Sequence, residues 1–268
     1  KNLLEGFKTL NRMANKINLY PKYVIVFYEH YHNELFKFWY ANNLKSTKLI
    51  ISAHGAAMQS NPAHFGLESE IANKKISYVN DDQCPINKRI KLPFPKFINN
   101  KRKNPKFLIF STYTSEYYPC RYGVSNNTFI KNRNQEDLLS LKKNLNKKIF
   151  AQLRISNKLS NSRSIMNLSN LFEGKKNIGD ISFSKQLDNA KLMICTYPQT
   201  TFLESIASGP TIALFDYKDW IPTKKNIQIY DKLISNNVFF ESSEQLSLFI
   251  NKKWDNIDIW WNDLIEKK

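Results

Sequence analysis

LMICTYPQTTFLESIASGPTIALF, residues 192–215, decides how the rest of this chain is read. LMICTY (192–197) has the length and apolar content of a buried strand, and Pro198 closes it. TTFLESIAS (200–208) then shows helical spacing until Gly209 stops it, and TIALFD (211–216) is a second strand. Two hydroxyls stand at the start of the helix and the carboxylate of Glu204 lies one turn on. The first turn of a helix leaves backbone N–H groups without partners and carries the positive end of the helix dipole. A phosphate placed there gains those donors together with the hydroxyls of Thr200 and Thr201. Glu204 could accept from a ribose or sugar hydroxyl. Local chemistry leaves another reading open, with Thr200 a plain N-cap and Glu204 a capping-box partner or solvated acid.

The same strand–helix rhythm extends outward from this unit. Downstream, NIQIYDKLIS (226–235) and SSEQLSLFINKK (242–253) read as helices around a short strand VFFE (238–241), and DNIDIWWNDLIEKK (255–268) as a last helix. Upstream, FSKQLDNAK (183–191) is a short helix, KIFAQLRI (148–155) a strand and QEDLLSLKKNLNK (135–147) a helix with acids first and lysines last. KFLIFSTYT (106–114) begins this series as a strand. Before it, YVIVFYE (23–29) reads as a buried strand, NELFKFWYANN (33–43) as a helix and KLIISAHG (48–55) as a strand. GLESEIANK (66–74) and ISYV (76–79) follow as helix and strand.

Alternation of this kind predicts parallel sheets covered by helices on both faces. KRIKLPFPKFINNKRKNPK (88–106) interrupts it with eight Lys/Arg, no acid and three prolines, and reads as a linker. The expected fold is therefore α/β, with two Rossmann-like units facing across a cleft. They are a partial N-terminal unit over 1–92 and a C-terminal unit over 106–268, joined by a basic linker at 93–105. KNLLEGFKTLNRMANKI (1–17) reads as an amphipathic helix without a signal-peptide cleavage site, and upstream sequence is expected to be missing.

The bulk numbers narrow the function. At 268 residues, with 42% hydrophobic and 13% aromatic residues, the chain is long enough and apolar enough for real cores. No run approaches the ~18 apolar residues of a membrane span. Three scattered cysteines predict a reducing compartment and no disulfide framework. A net charge of +17 favours anionic partners, unless it simply reflects a lysine- and asparagine-rich composition. No recognisable module interleaves basic and stacking aromatic residues, so nucleic acid is not the expected partner.

Ligands of parallel α/β sheets sit beyond the carboxyl ends of the strands, which singles out further residues. His54 ends a strand before Gly55, a residue that lets backbone approach a ligand closely, and can donate to a phosphate or act as a general base. Arg154 ends another strand, and Arg121 lies in the loop after KFLIFSTYT. Either can hold a phosphate bidentately or be an ordinary surface arginine. His30 and His32 would share a face in extended chain, but with no carboxylate or cysteine to complete a metal site they read as structural.

In that order these segments resemble the transferases of bacterial surface-carbohydrate loci, relatives of the GT-B glycosyltransferases. The resemblance rests on His54-Gly55 followed by ESEIANKKISYV, on YYPCRYG, on Arg154, on TYPQTTFLESIASGPTI and on the pair Trp260-Trp261. It spans the chain from about residue 23, with TTFLES and the tryptophan pair its most specific parts. Ala56-Ala57 and Asn73 depart from the family pattern. The resemblance implies a cytoplasmic glycosyltransferase that uses a nucleotide sugar as substrate, with no other cofactor and no metal. Tyr197, Thr200, Thr201, Glu204, Arg154 and Arg121 would hold the donor, and His54 or Glu70 would be the catalytic base. The donor it favours is a CMP-activated ulosonic acid such as Kdo or a sialic-type sugar. The acceptor would be a glycan or lipid-linked precursor, reached by peripheral contact with anionic inner-membrane lipid. The competing reading is a non-catalytic binding protein on the same fold.

Overall fold

The computed structural model describes residues 6–52, 62–77, 84–92, 102–112, 128–155, 181–198, 200–220 and 224–266. The chain divides into two units, each built on its own parallel sheet.

The first unit contains α1 (Phe7–Ala14), β1 (Tyr23–Val26), α2 (Glu29–His32), α3 (Glu34–Asn42), β2 (Lys48–Ser52), α4 (Pro62–Ile71), β3 (Lys74–Ser77) and β4 (Arg89–Lys91). Its strands lie in the sequential order β1-β2-β3-β4, and every pair is parallel. Val26, Leu49, Ile51 and Ala72 form its core, with Phe36 and Tyr40 of α3 packed against them.

Three expectations change here. YVIVFYE is not a buried strand: β1 stops at Val26 and forms an edge of the sheet, so Tyr23 and Ile25 are each 56% exposed. His30 and His32 are not in extended chain, because the backbone turns at once into α2. The stretch 88–106 is only partly a linker, since β4 pairs with β3 from Arg89 to Lys91. An edge strand of three residues needs no run of apolar side chains, and charges on it block further pairing. Composition therefore hid it.

The second unit contains β5 (Phe107–Thr112), α5 (Thr128–Asn144), β6 (Ala151–Ile155), α6 (Phe183–Asn189), β7 (Ala190–Cys195), α7 (Thr200–Ser208), β8 (Thr211–Leu214), α8 (Lys224–Ser235), β9 (Phe239–Phe240), α9 (Ser243–Lys253) and α10 (Ile257–Glu266). The strand order is β6-β5-β7-β8-β9, again parallel throughout. Its central strands read as continuous apolar runs because both faces are covered. Leu108, Phe110, Leu192, Ile194, Ile212 and Leu214 pack with Leu138 and Leu141 of α5 and with Leu246, Ile250 and Ile257 of the C-terminal helices. The intervening residues point the other way. Cys195, Ala213 and Phe215 meet Phe202 of α7 and Tyr230 of α8, and Ile109 and Met193 meet Phe183 and Leu187 of α6.

Helix α5 begins at Thr128, seven residues before the start expected from its charge pattern, so Glu136 and Asp137 lie inside it. The tryptophan pair serves the core: Trp261 is buried, and Trp260 packs edge-on against Phe249, their centroids 5.1 Å apart.

Candidate functional site

Strand order places the site. From β5 the chain first crosses to β6 on one side and later returns to β7 on the other, so the direction of winding reverses between β5 and β7. Helices leaving in opposite directions open a crevice at the carboxyl ends of such a strand pair.

Hydroxyl groups meet there. β5 ends in Ser111-Thr112 and β7 runs into Thr196, and all three residues are buried. The Thr196 N–H donates to the Ser111 carbonyl at 3.1 Å, and the Thr196 hydroxyl donates to Thr112 Oγ1 at 3.0 Å. From β6, the Arg154 guanidinium donates to Ser111 Oγ at 3.1 Å and lies 4.7 Å above the ring of Phe183. A guanidinium held along one edge and one face is oriented before any ligand arrives.

Helix α7 supplies the other wall. The Tyr197 hydroxyl donates to Thr201 Oγ1 at 3.0 Å, fixing the start of the helix to the end of β7. Ser205 Oγ donates back to the Thr201 carbonyl at 2.6 Å. Thr200 is partly exposed and is the first residue of the helix. Glu204 is half-buried. Burial raises its carboxyl above the ordinary value, and the charge of Arg154 opposes that rise. Beneath them Cys195 is fully buried, which pushes its thiol up to about 12, so it is packing and not a nucleophile.

The raised Glu204 has a checkable sign. A carboxyl raised on folding contributes stability below its unfolded value, and that contribution is lost as pH rises through the folded value. Glu204→Gln is therefore expected to hold or raise the thermal midpoint at neutral pH while weakening ligand binding. A lower midpoint with unchanged binding would assign Glu204 to the scaffold. Calorimetric melting beside a ligand titration checks both.

Of the residues expected from the sequence, the structure brings Arg154, Tyr197, Thr200, Thr201 and Glu204 to this one region of the second unit. Arg121, His54, Gly55 and the departure at Ala56-Ala57 lie outside the described residues. Glu70 is exposed on α4, and its backbone carbonyl accepts from Lys88 Nζ at 3.3 Å. The carboxylate that α4 buries is Glu68. Ser111, Thr112 and Thr196 are not among the residues singled out by sequence, although STYT and CTYP are strand ends.

His30 meets a carboxylate from far along the chain, Glu68 of α4. Its Nε2 lies 3.4 Å from Glu68 Oε1, and Lys75 Nζ lies 2.9 Å from Glu68 Oε2. His32 stacks on Tyr28. Among the described residues no group of three or more His, Cys, Asp or Glu side chains is placed to hold a metal ion. No described helix is long and apolar enough to cross a membrane.

A family model described as LIC12162 family transferase matches residues 1–267. The chain belongs to that family. No curated protein matches this LIC12162 family transferase. Among solved structures, a histidine-to-alanine variant of the wall teichoic acid polymerase TagF is 12% identical, with a TM-score of 0.49, and the match covers 99% of this chain and 88% of that one. A second TagF variant, soaked with CDPG, is 12% identical with a TM-score of 0.44. There the match covers 83% of this LIC12162 family transferase and 62% of that chain, so the protein spans less than two thirds of it.

Proposed function

We propose that this transferase moves a sugar from a nucleotide-activated donor to a surface-glycan precursor, and that the second unit holds the donor. The observation that carries the reading is the convergence of Arg154, Thr201 and Glu204 on the carboxyl end of the β5–β7 switch point. The start of α7 offers N–H groups and hydroxyls to a phosphate, Arg154 offers a pre-oriented cation, and Glu204 suits a sugar or ribose hydroxyl.

The chemistry follows from charge. As the bond between the anomeric carbon and the donor oxygen breaks, the nucleotide leaves with the bonding pair and negative charge grows on its phosphate. Donors already aimed at that position stabilise the transition state more than the ground state. The acceptor hydroxyl forms the new bond and gives up its proton to a base, for which His54 and Glu70 of the first unit are the candidates. A CMP-activated ulosonic acid is the favoured donor, supported by the Thr-Thr-x-x-Glu element at 200–204. An acceptor anchored in anionic lipid suits the basic chain.

Calorimetric titration with cytidine, uridine and guanosine nucleotides tests the reading. One class is expected to bind, and Thr200→Ala with Thr201→Ala is expected to weaken it at least about tenfold, roughly one charge-assisted hydrogen bond. If no nucleotide binds, or the double variant binds like the parent, the donor site is wrongly assigned.

A further inference from the structure

Arg102 belongs to the segment whose composition reads as a solvated basic linker, yet its guanidinium is among the most enclosed charges of the second unit. Nη1 donates to the carbonyls of Ala190 at 3.0 Å and Pro210 at 2.9 Å. Nη2 donates to the carbonyl of Ser205 at 3.3 Å and to Thr211 Oγ1 at 3.2 Å. Burial lowers its pKa to about 10, so it stays charged at neutral pH. Backbone bonds fix the approach on either side: Asn104 N–H donates to Asp188 O, and Lys106 N–H donates to Asn189 O, both at 2.9 Å.

Its acceptors are the first residue of β7, the last turn of α7, and the Gly209-Pro210-Thr211 turn into β8. Gly209 belongs to this arrangement. At φ +150° its backbone disfavours any side chain, and a Cβ there would lie 2.9 Å from Arg102 Nε. The SGPT portion of the opening stretch is thus a receptor for Arg102. At the last turn the guanidinium joins the Gly209 N–H, at 3.2 Å, and the Ser208 hydroxyl, at 2.8 Å, on the Ser205 carbonyl, and opposes the negative end of the helix dipole.

We infer that Arg102 is a positioning residue for the donor-binding end of α7. The path is continuous. Arg102 holds the Ser205 carbonyl, Ser205 Oγ holds the Thr201 carbonyl at 2.6 Å, and Thr201 Oγ1 accepts from the Tyr197 hydroxyl at 3.0 Å. α7 is a nine-residue helix, too short to be stable alone, so its two ends are not independent. Loosening the Ser205 end, where the Gly209 N–H and the Ser208 hydroxyl would remain on the carbonyl, loosens the Thr201 end. This inference rests on the donor site proposed above, but its test separates the two.

Amide exchange across residues 200–205 of the unliganded protein reads the clip without any ligand. Arg102→Met is expected to speed that exchange about five- to tenfold, at temperatures well below its melting midpoint, and to weaken nucleotide binding by a similar factor. Arg102→Lys, which keeps the charge but cannot span four acceptors, is expected to fall between. Ser205→Ala breaks the second link and keeps the carbonyl, so its effect should shrink in the Arg102→Lys background. Lower melting with unchanged exchange at 200–205, or strictly additive effects of the two substitutions, would overturn the inference. If Arg102→Met does not fold, the Arg102→Lys and Ser205→Ala pair still decides it. Absence of nucleotide binding by the parent protein would overturn the donor site alone, because exchange still reports on Arg102.

Discussion

Lys75→Met is expected to cost the first unit about 3–5 kcal/mol, the range for removing one partner of a buried ion pair. Lys75 and Glu68 are both almost fully enclosed, with Nζ 2.9 Å from Oε2. Glu68 Oε1 also accepts from the Tyr31 hydroxyl at 3.1 Å and faces His30 Nε2 at 3.4 Å. Take away the ammonium and the carboxylate is left in a pocket that cannot solvate it. Removing both charges avoids that penalty, so Lys75→Met with Glu68→Gln should recover most of the loss. Urea denaturation of the parent, the single variant and the double variant makes the comparison. Equal costs for single and double would mean that the pair's packing, and not its charge, matters.

Acid titration of the same variants gives a second arm. Burial alone would raise the Glu68 carboxyl, but the close approach of the His30 imidazole and the charge of Lys75 outweigh it, and the net shift is downward. A carboxyl lowered on folding contributes stability above its unfolded value, and that contribution is lost as pH falls through the folded value. The parent protein should therefore lose stability in the acid range, below the usual carboxylate pKa. The double variant, which has no carboxyl at position 68, should lack that component.

Arg154→Met is expected to weaken nucleotide binding about 10- to 100-fold, the equivalent of about 1.5–3 kcal/mol for hydrogen bonds to a charged group. Its guanidinium is held by Ser111 Oγ and the Phe183 ring, so its orientation is set before binding. Arg154→Lys should recover only part, because an ammonium keeps the charge and loses the planar fork. Titration calorimetry with the nucleotide that binds the parent gives the numbers. An unchanged Kd for Arg154→Met would place the phosphate elsewhere and leave Arg154 as a tie between β6 and β5.

Residues 192–215 were legible because doubly covered parallel strands must be apolar on both faces, and a run such as Leu192 to Cys195 has few other uses. The helix at Thr200–Ser208 was legible from its threonines and from Gly209, whose positive φ ends it. β4 was not, because a three-residue edge strand carries almost no pattern. The early start of α5 was not either, since NRNQ lacks the apolar spacing that marks a helix. At the site, Arg154 and the Thr200–Glu204 group followed from the strand-end rule. The same rule reaches Ser111, Thr112 and Thr196 one at a time, but their convergence follows only from β5 and β7 being neighbours.

The sequence by itself determined the alternation of strands and helices, two α/β units and the strand-end residues, because burial periodicity and turn chemistry act over a few residues. Tertiary structure decided which charges are enclosed. Of 40 Lys and Arg, nothing local marks Arg102 or Lys75 as different from their exposed neighbours. Arg102 finds Pro210 across 108 positions of sequence, and only the folded sheet brings a carbonyl cage and a cation together at that separation. The opening stretch therefore carries two halves with different work. Its TTFLE half faces the proposed donor, and its SGPT half receives the arginine that holds the helix in place.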